Sequence, residues 1–208
     1  MISTGCKELD ELFTYDNHIT GIYGKPATGK TTLCLLAMAK VQAGKKIVFI
    51  DTENSFSLER LKQFNPEIKL DNFFVMPVKS FTDQHKTVEN LLKIKNKISF
   101  IIIDSFSMFY RRMLQEKTKV NILVARQLSI LNEIAKEGIP IIITCQVYSK
   151  LDGTIELIGR DLIRNWCSTL ILLEEKGIRT LYLEKHPTKK SDMKNFVIRT
   201  EEIIFSSS

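Results

Sequence analysis

Short runs of Ile, Val and Phe recur along the chain, at 18–24 (HITGIYG), 45–51 (KKIVFID), 72–78 (NFFVMPV), 98–104 (ISFIIID) and 139–146 (IPIIITCQ). Between most of them the apolar positions change to helical spacing, over 30–43, 56–64, 82–96 and 118–137. Continuous apolar strands alternating with amphipathic helices predict a largely parallel sheet buried on both faces, an α/β sandwich. The last third changes character. Residues 168–185 (STLILLEEKGIRTLYLEK) hold two strand-like runs about a Lys176-Gly177 turn, and 196–205 (FVIRTEEIIF) adds more strand. An antiparallel extension at one sheet edge is expected there.

Composition narrows the picture. A chain of 208 residues that is 44% hydrophobic can bury one substantial core, so a single domain over 1–208 is expected. No apolar run approaches the ~18 residues of a membrane span, and the start MISTGCKELDEL lacks the pattern of a secretory signal. A cytoplasmic protein with no membrane partner is expected. Cys6, Cys34, Cys145 and Cys167 form no C-x-x-C pair and read as buried free thiols, while His18, His85 and His186 are too dispersed for a zinc site. The net charge of +6 favours polyanionic partners.

The candidate chemistry begins at 24–31, GKPATGKT, which matches G-x-x-x-x-G-K-[ST] between a strand and a helix. The N–H groups from Gly24 through Lys25, Pro26, Ala27, Thr28, Gly29, Lys30, Thr31 and Thr32, Pro26 excepted, would cradle phosphate oxygens at a helix N-terminus. Lys30 would neutralise the outer phosphates and the Thr31 hydroxyl would ligate Mg²⁺. Asp104, ending the apolar run FIIID, is the expected second group of the magnesium shell. Glu53, just beyond the second strand, is placed to activate water. The carboxyl ends of parallel strands share one crevice, so Glu53, Asp104 and Gln146 should converge.

With Gly24 to Thr31, Asp51-Thr52-Glu53, Phe56, Glu59-Arg60, Asp104-Ser105, Ala125-Arg126-Gln127 and Thr144-Cys145-Gln146 in this order, the chain resembles the RecA/RadA/Rad51 recombinase ATPases. It is most similar to their short archaeal paralogues. The resemblance implies a RecA-like P-loop NTPase core, with a mostly parallel central sheet between helices and an antiparallel C-terminal extension. It implies ATP and Mg²⁺ as cofactors, Asp104 reaching the metal through water, Glu53 as the water-activating carboxylate and Arg60 against the adenine face. Gln146 becomes a sensor of the γ-phosphate that opens the second DNA-facing loop. That loop, about 147–159 and read as mobile, carries Tyr148 and Lys150 with Arg160 and Arg164 just beyond, its charge diluted by Asp152 and Glu156; a first loop at 110–119 carries Arg111, Arg112, Lys117 and Lys119 against one Glu116. An aromatic among cations suits single-stranded DNA.

Two departures bear on function. The chain begins essentially at the ATPase core, without the N-terminal helix-hairpin-helix domain and Phe-x-x-Ala linker of RadA-type recombinases, so an extended filament is not expected and a homodimer stays open. At 184–190 (EKHPTKK), Lys185 stands where such proteins carry an acidic residue near a neighbour's nucleotide. It could act across an interface, contact DNA or be plain surface. The expected function is a Mg-ATP-dependent DNA-binding protein of recombination and repair with slow hydrolysis, accessory to a RadA-type recombinase or a Holliday-junction resolvase. The rival is a nucleotide-gated regulator of protein partners, like KaiC-type ATPases. Those show two adjacent carboxylates after the second strand, where this chain has Glu53 between Thr52 and Asn54.

Overall fold

The computed structural model of the chain describes residues 1–41, 44–113, 117–151 and 153–206. Its strands are β1 (Ile19–Gly24), β2 (Ile47–Asp51), β3 (Phe73–Pro77), β4 (Phe100–Asp104), β5 (Ile141–Cys145), the short β6 (Val147–Ser149) and β7 (Ile155–Leu157), then β8 (Thr169–Lys176), β9 (Ile178–Lys185), β10 (Asp192–Ile198) and β11 (Ile203–Ser206). Nine of them form one sheet in the order β11-β10-β9-β8-β1-β5-β4-β2-β3. From β8 to β3 every pairing is parallel, and β8 to β11 are joined antiparallel. The expected α/β architecture with its antiparallel extension is therefore present.

Helices α1 (Lys7–Asp10), α2 (Lys30–Ala39) and α3 (Leu58–Phe64) cover one face; α4 (Phe81–Ile94), α5 (Met108–Arg112), α6 (Lys117–Lys136) and α7 (Arg160–Trp166) cover the other. Strand alternation divides the apolar residues between the two cores: Ile101 and Ile103 of β4 join the α4–α7 side, Phe100 and Ile102 the α1–α3 side. Helix α6 supplies its buried stripe at Val120, Val124, Leu128, Leu131 and Ile134, the spacing of one helical face.

Boundaries moved for local reasons. Helix α2 stops at Ala39, short of 43, with Gln42 and Ala43 outside the described residues. Helix α3 starts at Leu58 rather than 56, because the Phe56 N–H is taken by the Asp51 carboxylate (3.0 Å) and Ser57 then caps the helix through the Arg60 N–H. The stretch 147–159, read from sequence as a mobile loop, is a hairpin in which β6 and β7 pair antiparallel, Tyr148 opposite Glu156. Asp152 lies outside the described residues. All four cysteines are free and three are buried.

Gly159 ends this hairpin and starts α7 with φ +71, and an added Cβ would lie 2.7 Å from Cε1 of the buried Tyr110 ring. Tyr110 in turn donates to Asn121 of α6 (2.7 Å), so the hairpin, α5 and α6 lock together here. Gly159→Ala combines left-handed backbone with overpacking and should cost about 2 kcal/mol. Urea unfolding measures this; an unshifted midpoint would show that the packing at this point is slack.

Candidate nucleotide and nucleic-acid site

Register brings the chemistry to one edge of the sheet. Tyr23 pairs with Cys145 and Asp51 with Asp104, while Ile103 pairs with Ile143. The residues that follow, the phosphate loop after β1, Thr52 after β2, Ser105 after β4 and Gln146 after β5, all leave the sheet on the same side, as the parallel order requires.

The loop from Lys25 to Gly29 turns β1 into α2. Two of its residues lie in the left-handed region, Ala27 at φ +66 and Gly29 at φ +107. An alanine there is strained by roughly 1 kcal/mol, and such turns aim successive N–H groups into one concavity. Lys25 and Pro26 are exposed, Thr28 is buried and donates to the Lys25 carbonyl (2.9 Å), and Thr32 continues α2 half-buried. Gly29 lies against the end of β10, where an added Cβ would meet Ile198 at 2.8 Å. Lys30 folds over the loop and donates to the carbonyls of Gly24 (2.9 Å) and Lys25 (2.8 Å). Burial pulls its ammonium below the ordinary lysine value against the opposing pull of Asp104 and Glu53. Anionic phosphate oxygens would reverse that pull.

Asp104 is the centre of the arrangement and is 2% exposed. Its Oδ2 accepts from Thr31 Oγ1 (2.6 Å) and Ser55 Oγ (3.0 Å), and its Oδ1 accepts from Thr144 Oγ1. Three elements, α2, the segment after β2 and β5, thus meet on one carboxylate. The next peptide, Asp104–Ser105, is cis. The Ser105 N–H donates to Thr52 Oγ1 (2.8 Å), which donates to the Ser105 carbonyl (2.8 Å). A hydroxyl and a carboxylate at hydrogen-bond distance, beside a loop whose left-handed turn groups N–H donors, are the kind of hard oxygen donors that Mg²⁺ takes.

Asp51 shapes the segment that carries Glu53. Its carboxylate accepts from the N–H groups of Glu53 (3.3 Å), Ser55 (3.0 Å) and Phe56 (3.0 Å). Asn54 between them is left-handed at φ +54. Glu53 Oε1 accepts from Gln146 Nε2 (2.6 Å), Gln146 Oε1 accepts from Arg111 Nη1 (3.4 Å), and the Gln146 N–H donates to Ser107 Oγ (2.7 Å). Gln146 is the residue between β5 and β6. A side-chain chain therefore runs from the Glu53 carboxylate, past the end of β5, to Arg111 on α5.

The cations expected to meet DNA fall into two groups. Arg111 and Arg112 are exposed on α5, Arg112 over the Phe109 ring (5.8 Å), and Lys119 is exposed on α6. Lys117 begins α6 with its side chain outside the described residues, as are residues 114–116. The second group surrounds Glu156 of β7. Tyr148 Oη donates to Glu156 Oε2 (2.7 Å), Lys150 Nζ lies 2.7 Å from the same oxygen, and Arg160 Nη1 lies 3.7 Å from Oε1.

Two further residues have partners within the chain. Arg60 stacks on the Phe64 ring (4.4 Å) and donates to the carbonyls of Arg199 (2.6 Å) and Thr200, in the turn that follows Ile198. Lys185 donates to the carbonyls of Arg164 (2.7 Å) and Cys167 (2.8 Å), closing the C-terminus of α7.

Residues 1–185 match the Rad51 family. The chain belongs to the Rad51 family. A RadB DNA repair and recombination protein of Methanococcus maripaludis is 39% identical over 178 residues, covering 81% of this chain and 82% of the relative. A RadB of Thermococcus onnurineus is 32% identical over 201 residues, covering 89% and 88%. A crystal structure of the RadB recombinase superposes with a TM-score of 0.81 at 31% identity, covering 98% of both chains. The fold is thus the Rad51/RecA-like one that the motifs implied.

Sequence reasoning passed over Ser55 and Ser107, and it gave no role to Thr144 or to Asp51 although both stand in the quoted motifs. Their signal is positional: each is a small polar or acidic residue within a few positions of a strand's carboxyl end. Asp51→Asn, which turns one acceptor oxygen into a donor facing backbone N–H groups, should cost about 1–3 kcal/mol in a urea melt. No loss would mean that the segment after β2 holds its shape without this carboxylate.

Proposed function

We propose that this Rad51-family chain is a Mg-ATP-dependent DNA-binding protein of homologous recombination and repair, of the RadB type, with weak hydrolysis and an accessory role beside a RadA-type recombinase or a Holliday-junction resolvase. The observation that carries this is the Glu53–Gln146–Arg111 chain, because it ties the side of the site facing the phosphate loop to a cationic helix. The Gln146 amide is suited to the link. It can donate to a phosphate oxygen or to Glu53 and accept from a cation, where a carboxylate would repel phosphate.

In this reading the loop N–H groups and Lys30 hold the triphosphate. Thr31 directly and Asp104 through water hold Mg²⁺, whose chemistry is to neutralise phosphate charge. Glu53 orients the attacking water and accepts its proton. Arg60 borders the adenine, beside the β10–β11 turn. Arg111, Arg112, Lys117, Lys119, Tyr148, Lys150 and Arg160 form the surface for DNA, single strands preferred. Lys185 is engaged with α7, which supports slow turnover: without a cation reaching the γ-phosphate from a partner, phosphoryl transfer is slowed ~10³-fold or more. ATP then acts chiefly as a conformational ligand. A cytoplasmic setting completes the proposal. Among the described residues no helix is long and apolar enough to cross a membrane.

Two variants test the assignment. Lys30→Ala should abolish ATP binding by calorimetry, since the loop loses its lysine charge on the phosphates; unchanged affinity would remove the loop from nucleotide binding. Glu53→Gln should bind ATP normally while phosphate release falls by a factor of about 10²–10⁴, the usual contribution of a positioned base. Wild-type turnover would assign the water to another group.

A further inference from the structure

The β6–β7 hairpin holds its own counter-anion. Tyr148 and Glu156 are partners across the hairpin, and the Glu156 carboxylate receives a phenol O–H and an ammonium at 2.7 Å, with a guanidinium 3.7 Å away. The Glu156 side chain is 20% exposed, against 44% for Lys150 and 57% for Arg160, so the cations shield the carboxylate. A phosphodiester offers the same geometry, two anionic oxygens set to accept from such donors. A cleft of about 670 Å³ opens beside the cluster, where Lys25, Lys150, Arg160, Arg164 and Lys176 face it together with Glu156, Glu174, Glu175 and Glu184, so a strand phosphate would enter on the Lys150–Arg160 side. Lys150 and Tyr148 hold the Glu156 carboxyl below the usual carboxylate range, so it is ionised at neutral pH.

We propose that Glu156 is an internal competitor for nucleic-acid phosphates. Its carboxylate occupies Tyr148, Lys150 and Arg160 until a strand displaces it, and so it sets the affinity and the salt dependence of the hairpin. This rests on the reading of the hairpin as a nucleic-acid surface. The same three donors make the alternative concrete: Glu156 could be only a staple that holds the hairpin together. The two roles differ in sign, because a competitor lowers affinity and a staple raises it.

Fluorescence anisotropy of a labelled oligo-dT strand across a salt series separates them, using the full chain as wild type, Glu156→Gln, Lys150→Gln and the double variant. Glutamine keeps one acceptor oxygen for Tyr148, removes the charge and turns the other oxygen into a donor facing the cations. Glu156→Gln should bind about three- to tenfold more tightly. Each further phosphate neutralised on a single strand steepens the log–log salt slope by about 0.7, so removing the Glu156 charge from beside Lys150 and Arg160 should steepen it by up to about 1.4. Lys150→Gln should weaken binding more in the Glu156→Gln background than in the wild type. Equal or weaker binding by Glu156→Gln with an unchanged slope, while the wild type binds, overturns the competitor role alone. No salt-dependent binding by any of the four overturns the nucleic-acid reading and this inference with it.

Discussion

One buried carboxylate holds the site together. Asp104 accepts hydroxyl donors from Thr31, Ser55 and Thr144, which come from α2, from the segment after β2 and from β5. A carboxylate at 2% exposure has little water to solvate it, so these three bonds are what makes its burial tolerable. They also fix the relative placement of everything around it. Moving the phosphate loop disturbs Thr31, moving the Glu53 segment disturbs Ser55, and moving β5 and the Gln146 that follows disturbs Thr144.

Much of the fold was legible in the chain because it is written at short range. The apolar runs of β1, β2, β4 and β5 are continuous, as strands buried on both faces must be, and α6 repeats its apolar residues every three to four positions. The phosphate loop was legible as a motif between strand and helix. What escaped depends on residues brought together from a distance. Thr144 stands in a motif but shows no role until β5 is seen beside β4, where its hydroxyl reaches Asp104. The stretch 147–159 reads as a loop because its strands are only three residues each, and the pairing of Glu156 with Tyr148 and Lys150 follows from the register that sets Glu156 opposite Tyr148. The start of α3 moved because a carboxylate five residues upstream claims the Phe56 N–H, which propensity does not encode.

The same carboxylate logic recurs on three scales. Asp51 satisfies backbone donors and shapes a segment, Asp104 satisfies hydroxyls and joins three elements, and Glu156 satisfies a phenol and two cations at the surface. Only the last is exposed enough for an external anion to compete. Lys185 shows the opposite case, a cation whose donors serve the C-terminus of α7.

The most direct measurement of the central claim, that the phosphate site and the DNA surface are joined through Gln146, is the affinity of the wild-type chain for an oligo-dT strand. It would be read by anisotropy with no nucleotide, with Mg-ADP and with a slowly hydrolysed Mg-ATP analogue. If Gln146 carries the state of the γ-phosphate to Arg111 and the cations beside it, affinity changes between the ADP and ATP-analogue states by several-fold, while ADP resembles the nucleotide-free chain. Salt-dependent binding that is identical in all three states would contradict the coupling. Absence of binding in every state would point instead to a nucleotide-gated regulator whose partners are proteins.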